Sequence, residues 1–376
     1  MINYQGIKSP SYILDEELLL NNLKVIDYVR EKSGAEIIVA LKANAMWSIF
    51  PLLAGHSDGA TASSVNEARL VKEEYGQLAH TYAPVYTDSS FDEIIACSSH
   101  ITFNSLSQYN RFGQRALLNG ISCGLRVNPR YSPVETDLYN PCVAGSRLGI
   151  TPEELTELPA GVEGLHFHCL CESRAEHLRL ALESMERHYG HLLPSIKWLN
   201  MGGGHLMTHA DYDVEELIAI LLDFKARHPH LRLILEPGSA FTWRTGVLLS
   251  TVEDIVENEG IRTALLDVSF ACHMPDCLEM PYKPAVVGAH DPKEGERRWR
   301  LGGNSCLAGD YYGDWAFDNE PQVGDKIIFE DMIHYTMVKT TMFNGVAHPS
   351  IAITHTDGTN EIVKEFTYED YKSRLS

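Results

Sequence analysis

Eight short apolar runs, each followed by a polar or amphipathic stretch, constrain this chain more than any other feature. They are "EIIVALKA", "GATAS", "HTYAP", "HITFN", "SCGLRVNP", "GLHFHCL", "IKWLNMGGG" and "LRLILEPG", spread between Ile37 and Glu236. Helical candidates lie between them, among them "SVNEARLVKEEYG", "SLSQYNRFGQRA", "SRAEHLRLALESMERHYGHLL" and "DVEELIAILLDFKARH". Strands that are apolar on both faces and alternate with amphipathic helices form parallel sheets covered by helices. Eight units in about 200 residues suit a closed (β/α)8 barrel better than an open doubly wound sheet. After Phe241 the pattern changes to short alternating strands such as "TGVLLSTVEDIVE", "RTALLDVS", "RRWRLGG", "DKIIFE" and "PSIAITHTDG". These predict an antiparallel β-rich domain, which the extended "KSPSYILDEE" could join. The expectation is an α/β chain: a TIM-like barrel over 10–240, then a β domain over 241–376 together with residues 1–9.

Charge and length narrow the function. The 376 residues carry 51 acidic and 31 basic side chains, a formal net charge of −20. No basic stripe is present to neutralise phosphates, so nucleic acid is not expected as a partner. An acidic surface steers cationic ligands instead. No apolar run approaches the roughly 20 residues of a membrane span. The N-terminus lacks a basic segment followed by an apolar one, so no signal peptide and a cytoplasmic location are expected. The eight cysteines have no framework spacing and are read as free thiols.

Chemistry should gather where barrel strands end. Lys42 follows the run Ile37–Leu41, where a lysine either snorkels to solvent or has a lowered pKa and forms an imine with a carbonyl. Gly202, Gly203 and Gly204 follow "IKWLN" and suit close approach to an anion such as phosphate. Glu236 ends "LRLILE" and could keep a pyridine nitrogen protonated. Strand alternation puts His166 and His168 on one face and Cys169 and Cys171 on the other, which argues against a single metal site, and none is expected. Cys306 and Asp310 share the small-residue loop "GGNSCLAGD", where a partly exposed thiol can act as a proton donor. Tyr335 and Phe343 lie in "HYTMVKTTMFNG".

In order, "VALKAN", "GLHFHC", "GGG", "LEPG", "GGNSCLAGD" and "HYTMVKTTMFNG" resemble the motifs of the fold-type III pyridoxal-phosphate decarboxylases. That family includes the ornithine, arginine and diaminopimelate decarboxylases, and the likeness runs from about Pro10 to Tyr371. The pattern is most similar to the carboxynorspermidine/carboxyspermidine branch. The resemblance implies pyridoxal 5'-phosphate held by Lys42, with His168 against the ring. Glu236 would face the ring nitrogen, with Arg126 nearby and Gly203, Gly204 and Tyr335 at the phosphate. It further implies a homodimer with shared sites, in which Cys306 is the general acid, while Asp310 and Arg147 match a pair that bridges subunits in relatives. Ser239, Asp276, Glu279 and Asp310 are assigned to a polycationic small-molecule substrate.

The chain departs from the family in four places. Ser239 stands where relatives have Arg, Leu170-Cys171 replaces Gly-Ser, Leu307 replaces an Asp after the cysteine, and Thr61 aligns with a common Asp. These changes argue against ornithine. The implied reaction is decarboxylation of carboxynorspermidine or carboxyspermidine to norspermidine or spermidine. The alternatives are a diaminopimelate or ornithine decarboxylase, a racemase, a non-catalytic regulatory homologue, or a zinc hydrolase built on His166 and His168.

Overall fold

The computed structural model describes residues 3–376. The chain divides into two compact units, Asn22–Phe241 and a second formed by Thr242–Ser376 with the residues up to Asn21. In chain order the strands are β1 (Ser11–Asp15), then β2 (Glu36–Ala40), β3 (Gly59–Ala62), β4 (Ala79–Tyr82), β5 (Ser98–Phe103), β6 (Ser122–Arg126), β7 (Val162–His166), β8 (Trp198–Asn200) and β9 (Arg232–Leu235). They continue as β10 (Gly246–Asn258), β11 (Ile261–Leu266), β12 (Ala289–His290), β13 (Trp299–Gly302), β14 (Tyr311–Phe317), β15 (Lys326–Glu330), β16 (Ser350–Thr354) and β17 (Asn360–Lys364).

Strands β2 to β9 pair in sequence order and close on themselves as a parallel barrel, built from the eight runs expected. Ile37, Ile38, Val39 and Ala40 of β2 are all buried, as a strand between helices and a filled interior must be. One indole helps fill that interior. A Cβ on Gly164 of β7 would lie 2.0 Å from the Trp198 ring, and one on Gly124 of β6 would lie 2.2 Å from it. Two glycines on adjacent strands thus make the space that Trp198 of β8 fills, and its Nε1 donates to Ser122 Oγ at 2.9 Å. Several of the covering helices start on side-chain caps. Ser105 accepts from the Gln108 N–H at the start of Leu106–Leu118, and Asp213 accepts from Glu216 at the start of Val214–Arg227. The helix Glu16–Ser33 adds to the sequence expectation. Its buried Leu19, Leu23, Ile26 and Val29 recur at helical spacing.

The second unit is a nine-stranded sheet, mostly antiparallel but mixed. Strand β1 runs antiparallel to β10 and parallel to β16, and β11 runs parallel to β13. The long β10 serves three pairings: Gly246–Leu249 bond to β1, Val247–Thr251 bond to β15, and from Val252 on, with a register shift at Val252/Asp254, the strand bonds to β11. Because β1 is hydrogen-bonded into this sheet, residues 11–15 lie with the sheet unit, as the extended "KSPSYILDEE" allowed, although the expected barrel bounds began at residue 10. The contact boundary falls at Asn21/Asn22 and Phe241/Thr242. No helix among the described residues is long and apolar enough to cross a membrane.

Candidate active site

The barrel candidates Lys42, Arg126, His168 and Glu236 sit at or just past the C-terminal ends of strands, whereas Arg147 lies far along the connection after β6. Lys42 follows β2, Arg126 ends β6, His166 ends β7 with His168 two residues on, and Glu236 follows β9. Lys42 keeps accessible surface, yet surrounding protein atoms desolvate its ammonium and lower its pKa. The two facts agree if the side chain lines a concavity rather than an outer face. Arg126 adds to the lowering, while Glu236, Cys171 and Glu67 oppose it.

The groups around Lys42 are bonded to one another. The Gly203 N–H donates to His168 Nδ1 at 3.0 Å, which leaves the imidazole proton on Nε2. That nitrogen lies 3.5 Å from Lys42 Nζ. Burial, then Lys42 and Arg126, hold the His168 pKa well below the ordinary range, so the ring is neutral. Arg126 is buried; it donates from Nη2 to the His168 carbonyl at 3.1 Å, and its guanidinium lies over the Tyr82 ring, 4.7 Å from the centroid. Glu236 is desolvated, which raises its pKa; Asn200, Lys42, Thr61 and Arg126 pull the other way. Asn200 Nδ2 donates to Glu236 Oε1 at 2.6 Å, while its Oδ1 accepts the Gly202 N–H at 2.9 Å.

The three glycines have a steric cause of their own. A Cβ on Gly202 would lie 2.5 Å from the Phe167 carbonyl oxygen, one on Gly203 2.5 Å from that of Glu236, and one on Gly204 2.3 Å from that of Leu170. Gly202 and Gly204 also have positive φ, +70° and +92°, which disfavours a side chain. Since the N–H groups of Gly202 and Gly203 already bond Asn200 and His168, the run first serves to pack three strand ends together. Ser239 is buried and opens the short helix Ser239–Thr242.

In the sheet unit, Cys306 is exposed in the loop between β13 and β14, and its backbone N–H donates to Asn344 Oδ1 at 2.9 Å. Asp310 closes the same loop and is buried. Its Oδ1 accepts from Ser269 Oγ at 3.1 Å and the Ala271 N–H at 2.9 Å, and its Oδ2 accepts from the Ser305 N–H at 3.0 Å. Asp276 is buried with one oxygen served and one bare. Its Oδ2 accepts from Tyr282 at 3.1 Å and Thr336 at 2.9 Å, whereas Oδ1 makes no hydrogen bond among the described residues. Glu279 is exposed and paired with Lys339 at 2.6 Å. Tyr335 adopts φ +43°, an unusual conformation for a bulky residue, and its carbonyl accepts N–H bonds from Val338 and Lys339.

The family model described as "Pyridoxal-dependent decarboxylase, C-terminal sheet domain" matches residues 12–333. The chain belongs to the pyridoxal-dependent decarboxylases. A carboxyaminopropylagmatine decarboxylase of Synechocystis is 52% identical, over 98% of this chain and 96% of the relative. A carboxynorspermidine/carboxyspermidine decarboxylase of Campylobacter jejuni is 40% identical over 99% of each chain. A solved carboxynorspermidine decarboxylase from Campylobacter jejuni, complexed with norspermidine, superposes with TM-score 0.90 at 39% identity, covering 98% of this chain and 100% of that one.

Family membership brings pyridoxal phosphate, and the barrel mouth has the groups to suit it. It offers a lysine with lowered proton affinity, a neutral imidazole fixed by Gly203, a buried carboxylate, and a buried guanidinium. Three further residues at this mouth went unassigned in the sequence, Asn200, Tyr82 and Glu67, and His166 was weighed only as a zinc ligand. Asn200 carried a readable signal, a polar residue at the third position of the strand just before the glycines. Glu67, which accepts the Ser63 N–H at 2.6 Å, reads in sequence as an ordinary helix-capping acid, and only the fold brings its charge to bear on Lys42.

Proposed function

We propose that this chain decarboxylates carboxynorspermidine or carboxyspermidine, yielding norspermidine or spermidine. The observation that carries this reading is the barrel-mouth cluster of Lys42, His168, Arg126 and Glu236, found in a chain with full-length carboxylated-polyamine decarboxylase relatives. Lys42 would hold the cofactor aldehyde, and its lowered pKa keeps a larger neutral fraction available for exchange with a substrate amine. His168 would rest on the ring. Glu236 would keep the ring nitrogen protonated, with Arg126 close to the cofactor and Gly203, Gly204 and Tyr335 toward its phosphate. Bound there, the ring supplies the electron sink for the pair released with carbon dioxide. Cys306 then delivers the proton from Sγ to the carbon that lost its carboxylate.

The protein is further proposed to work in the cytoplasm as a homodimer in which Cys306 serves the partner's site; the exposed thiols Cys171 and Cys306 suit a reducing compartment. Among the acids assigned to substrate, the bare, buried Oδ1 of Asp276 supports a role for that residue toward an ammonium group. Glu279 and Asp310 already have partners, and Ser239 is buried at the start of the helix Ser239–Thr242.

A second reading, carboxyaminopropylagmatine, is favoured by the 52% identity to the Synechocystis relative. Its terminal group is a planar guanidinium rather than an ammonium, and the two make different demands on a carboxylate. Purified holoprotein incubated separately with carboxynorspermidine, carboxyspermidine, carboxyaminopropylagmatine, diaminopimelate and ornithine, with products identified by mass, separates the readings. Turnover of either of the first two at the highest kcat/KM supports the proposal. Exclusive turnover of the third replaces it with the second reading, and turnover of diaminopimelate or ornithine alone overturns both.

A further inference from the structure

His166 belongs to the barrel-mouth group, and the scheme above leaves it without work. It is 2% exposed, and neither ring nitrogen makes a hydrogen bond among the described residues. Burying an imidazole in this way forfeits its bonds to water. Nor is the ring loosely placed: it packs edge-on against Tyr82 with centroids 5.4 Å apart. Its Nε2 faces Glu236 Oε2 at 3.7 Å. The other oxygen of that carboxylate, Oε1, is taken by Asn200 at 2.6 Å.

We propose that His166 is a positioning residue for Glu236, holding an Nε2–H toward Oε2 so that the carboxylate stays ionised and fixed in rotation. A neutral imidazole carries one proton, and the two tautomers differ here. With the proton on Nδ1, an Nε2 lone pair would confront a carboxylate oxygen. With the proton on Nε2, a dipole points at that oxygen, and a modest rotation of the carboxylate closes the gap into a hydrogen bond. Burial, Arg126 and Lys42 keep the ring neutral, so His166 supplies a dipole without a second cation to compete for Glu236. The purpose of an ionised Glu236, protonation of the cofactor's ring nitrogen, rests on the function proposed above.

The test uses holoprotein reconstituted with pyridoxal phosphate labelled with 15N in the ring. His166→Phe keeps an aromatic body against Tyr82 and removes the donor; His166→Gln restores a donor near the Nε2 position. For H166F the ring-nitrogen shift is expected to move toward the unprotonated value. Cofactor Kd should rise and kcat fall, each about tenfold, the scale of a lost hydrogen bond to a charged group, with substrate KM nearly unchanged and H166Q recovering most of both. A ring-nitrogen shift and Kd in H166F equal to wild type overturn the inference. If H166F does not fold, the 15N spectrum of histidine-labelled wild type, assigned with H166Q, decides instead: an Nε2–H tautomer is expected, and an Nδ1–H tautomer overturns the proposal. Glu236→Gln separates this from the underlying reading. If E236Q leaves the ring-nitrogen shift unmoved, Glu236 is not its partner and the reading of the site falls; if E236Q moves it and H166F does not, only the role of His166 falls.

Discussion

The barrel mouth and the β13–β14 loop hold their candidate groups in opposite ways. At the mouth, Lys42, His168, Arg126 and Glu236 lie close enough to act on one another's charge, and desolvation pushes the lysine down and the carboxyl up. In the loop, the Cys306 thiol is exposed, and what is fixed is its backbone, through Asn344 Oδ1 and the carboxylate of Asp310. The first arrangement stores electrostatic strain that a bound cofactor can relieve. The second stores geometry, presenting a thiol on a rigid turn. Substitutions in the two regions should therefore fail differently.

The largest effect is expected at Lys42. Lys42→Ala should cost about four orders of magnitude or more in kcat/KM, as removal of a covalent-catalysis group does, and should abolish the visible absorption of the bound cofactor. An unchanged spectrum with full turnover would remove Lys42 from the site. Cys306→Ala comes next. Loss of a general acid costs about 10²–10⁴-fold in rate, and because the loop is not part of the barrel cluster, the cofactor spectrum should remain that of wild type. A Cys306→Ala protein that keeps its kcat would break the comparison, since the loop would then carry no chemistry.

Asp310 sharpens the contrast, because its effect should appear in stability. Asp310→Ala leaves the Ser269 hydroxyl and the N–H groups of Ala271 and Ser305 without their acceptor. Unsatisfied buried donors cost about 1–3 kcal/mol each, so a loss of about 3 kcal/mol is expected in denaturant unfolding. If Asp310 served instead as a bridge between subunits, the same substitution would weaken self-association in sedimentation while leaving unfolding unaltered.

The regions also differ in how well the chain revealed them. The barrel was legible because eight strands buried on both faces must read as apolar runs, and Lys42, Glu236 and the glycines stand at their ends. Their partnerships were hidden. That Gly203 fixes the His168 tautomer, or that Asn200 joins the glycine run to Glu236, depends on strands far apart in sequence closing into a ring. The sheet unit was read less completely. The strand β14, "YYGDWAF", alternates poorly and has a glycine with positive φ inside it, and the parallel partnership of β1 with β16 joins residues more than three hundred positions apart, which no local pattern encodes. Asp310 was assigned by resemblance to substrate and to a subunit bridge; within the chain its carboxylate closes the loop that carries Cys306.

The smallest expected effect returns to the barrel and tests the stored strain directly. Burial raises the folded-state pKa of Glu236 above its unfolded value. Its contribution to stability is therefore complete below the unfolded carboxyl pKa and is lost as pH rises through the folded one. At neutral pH the cofactor-free protein bears that loss, which Glu236→Gln removes, because a neutral amide still offers Asn200 an oxygen. The variant should melt higher than wild type by about 2 °C at pH 7, with the gain shrinking as pH falls through the folded carboxyl pKa and gone below the unfolded one, while its decarboxylation slows. A gain in melting temperature coupled to a loss of turnover is what a residue kept for chemistry rather than for folding should give. A Glu236→Gln protein that melts lower at pH 7 would mean that the bonds from Asn200 and Thr61 already repay the burial, and the barrel mouth would then be relaxed rather than strained before any cofactor binds.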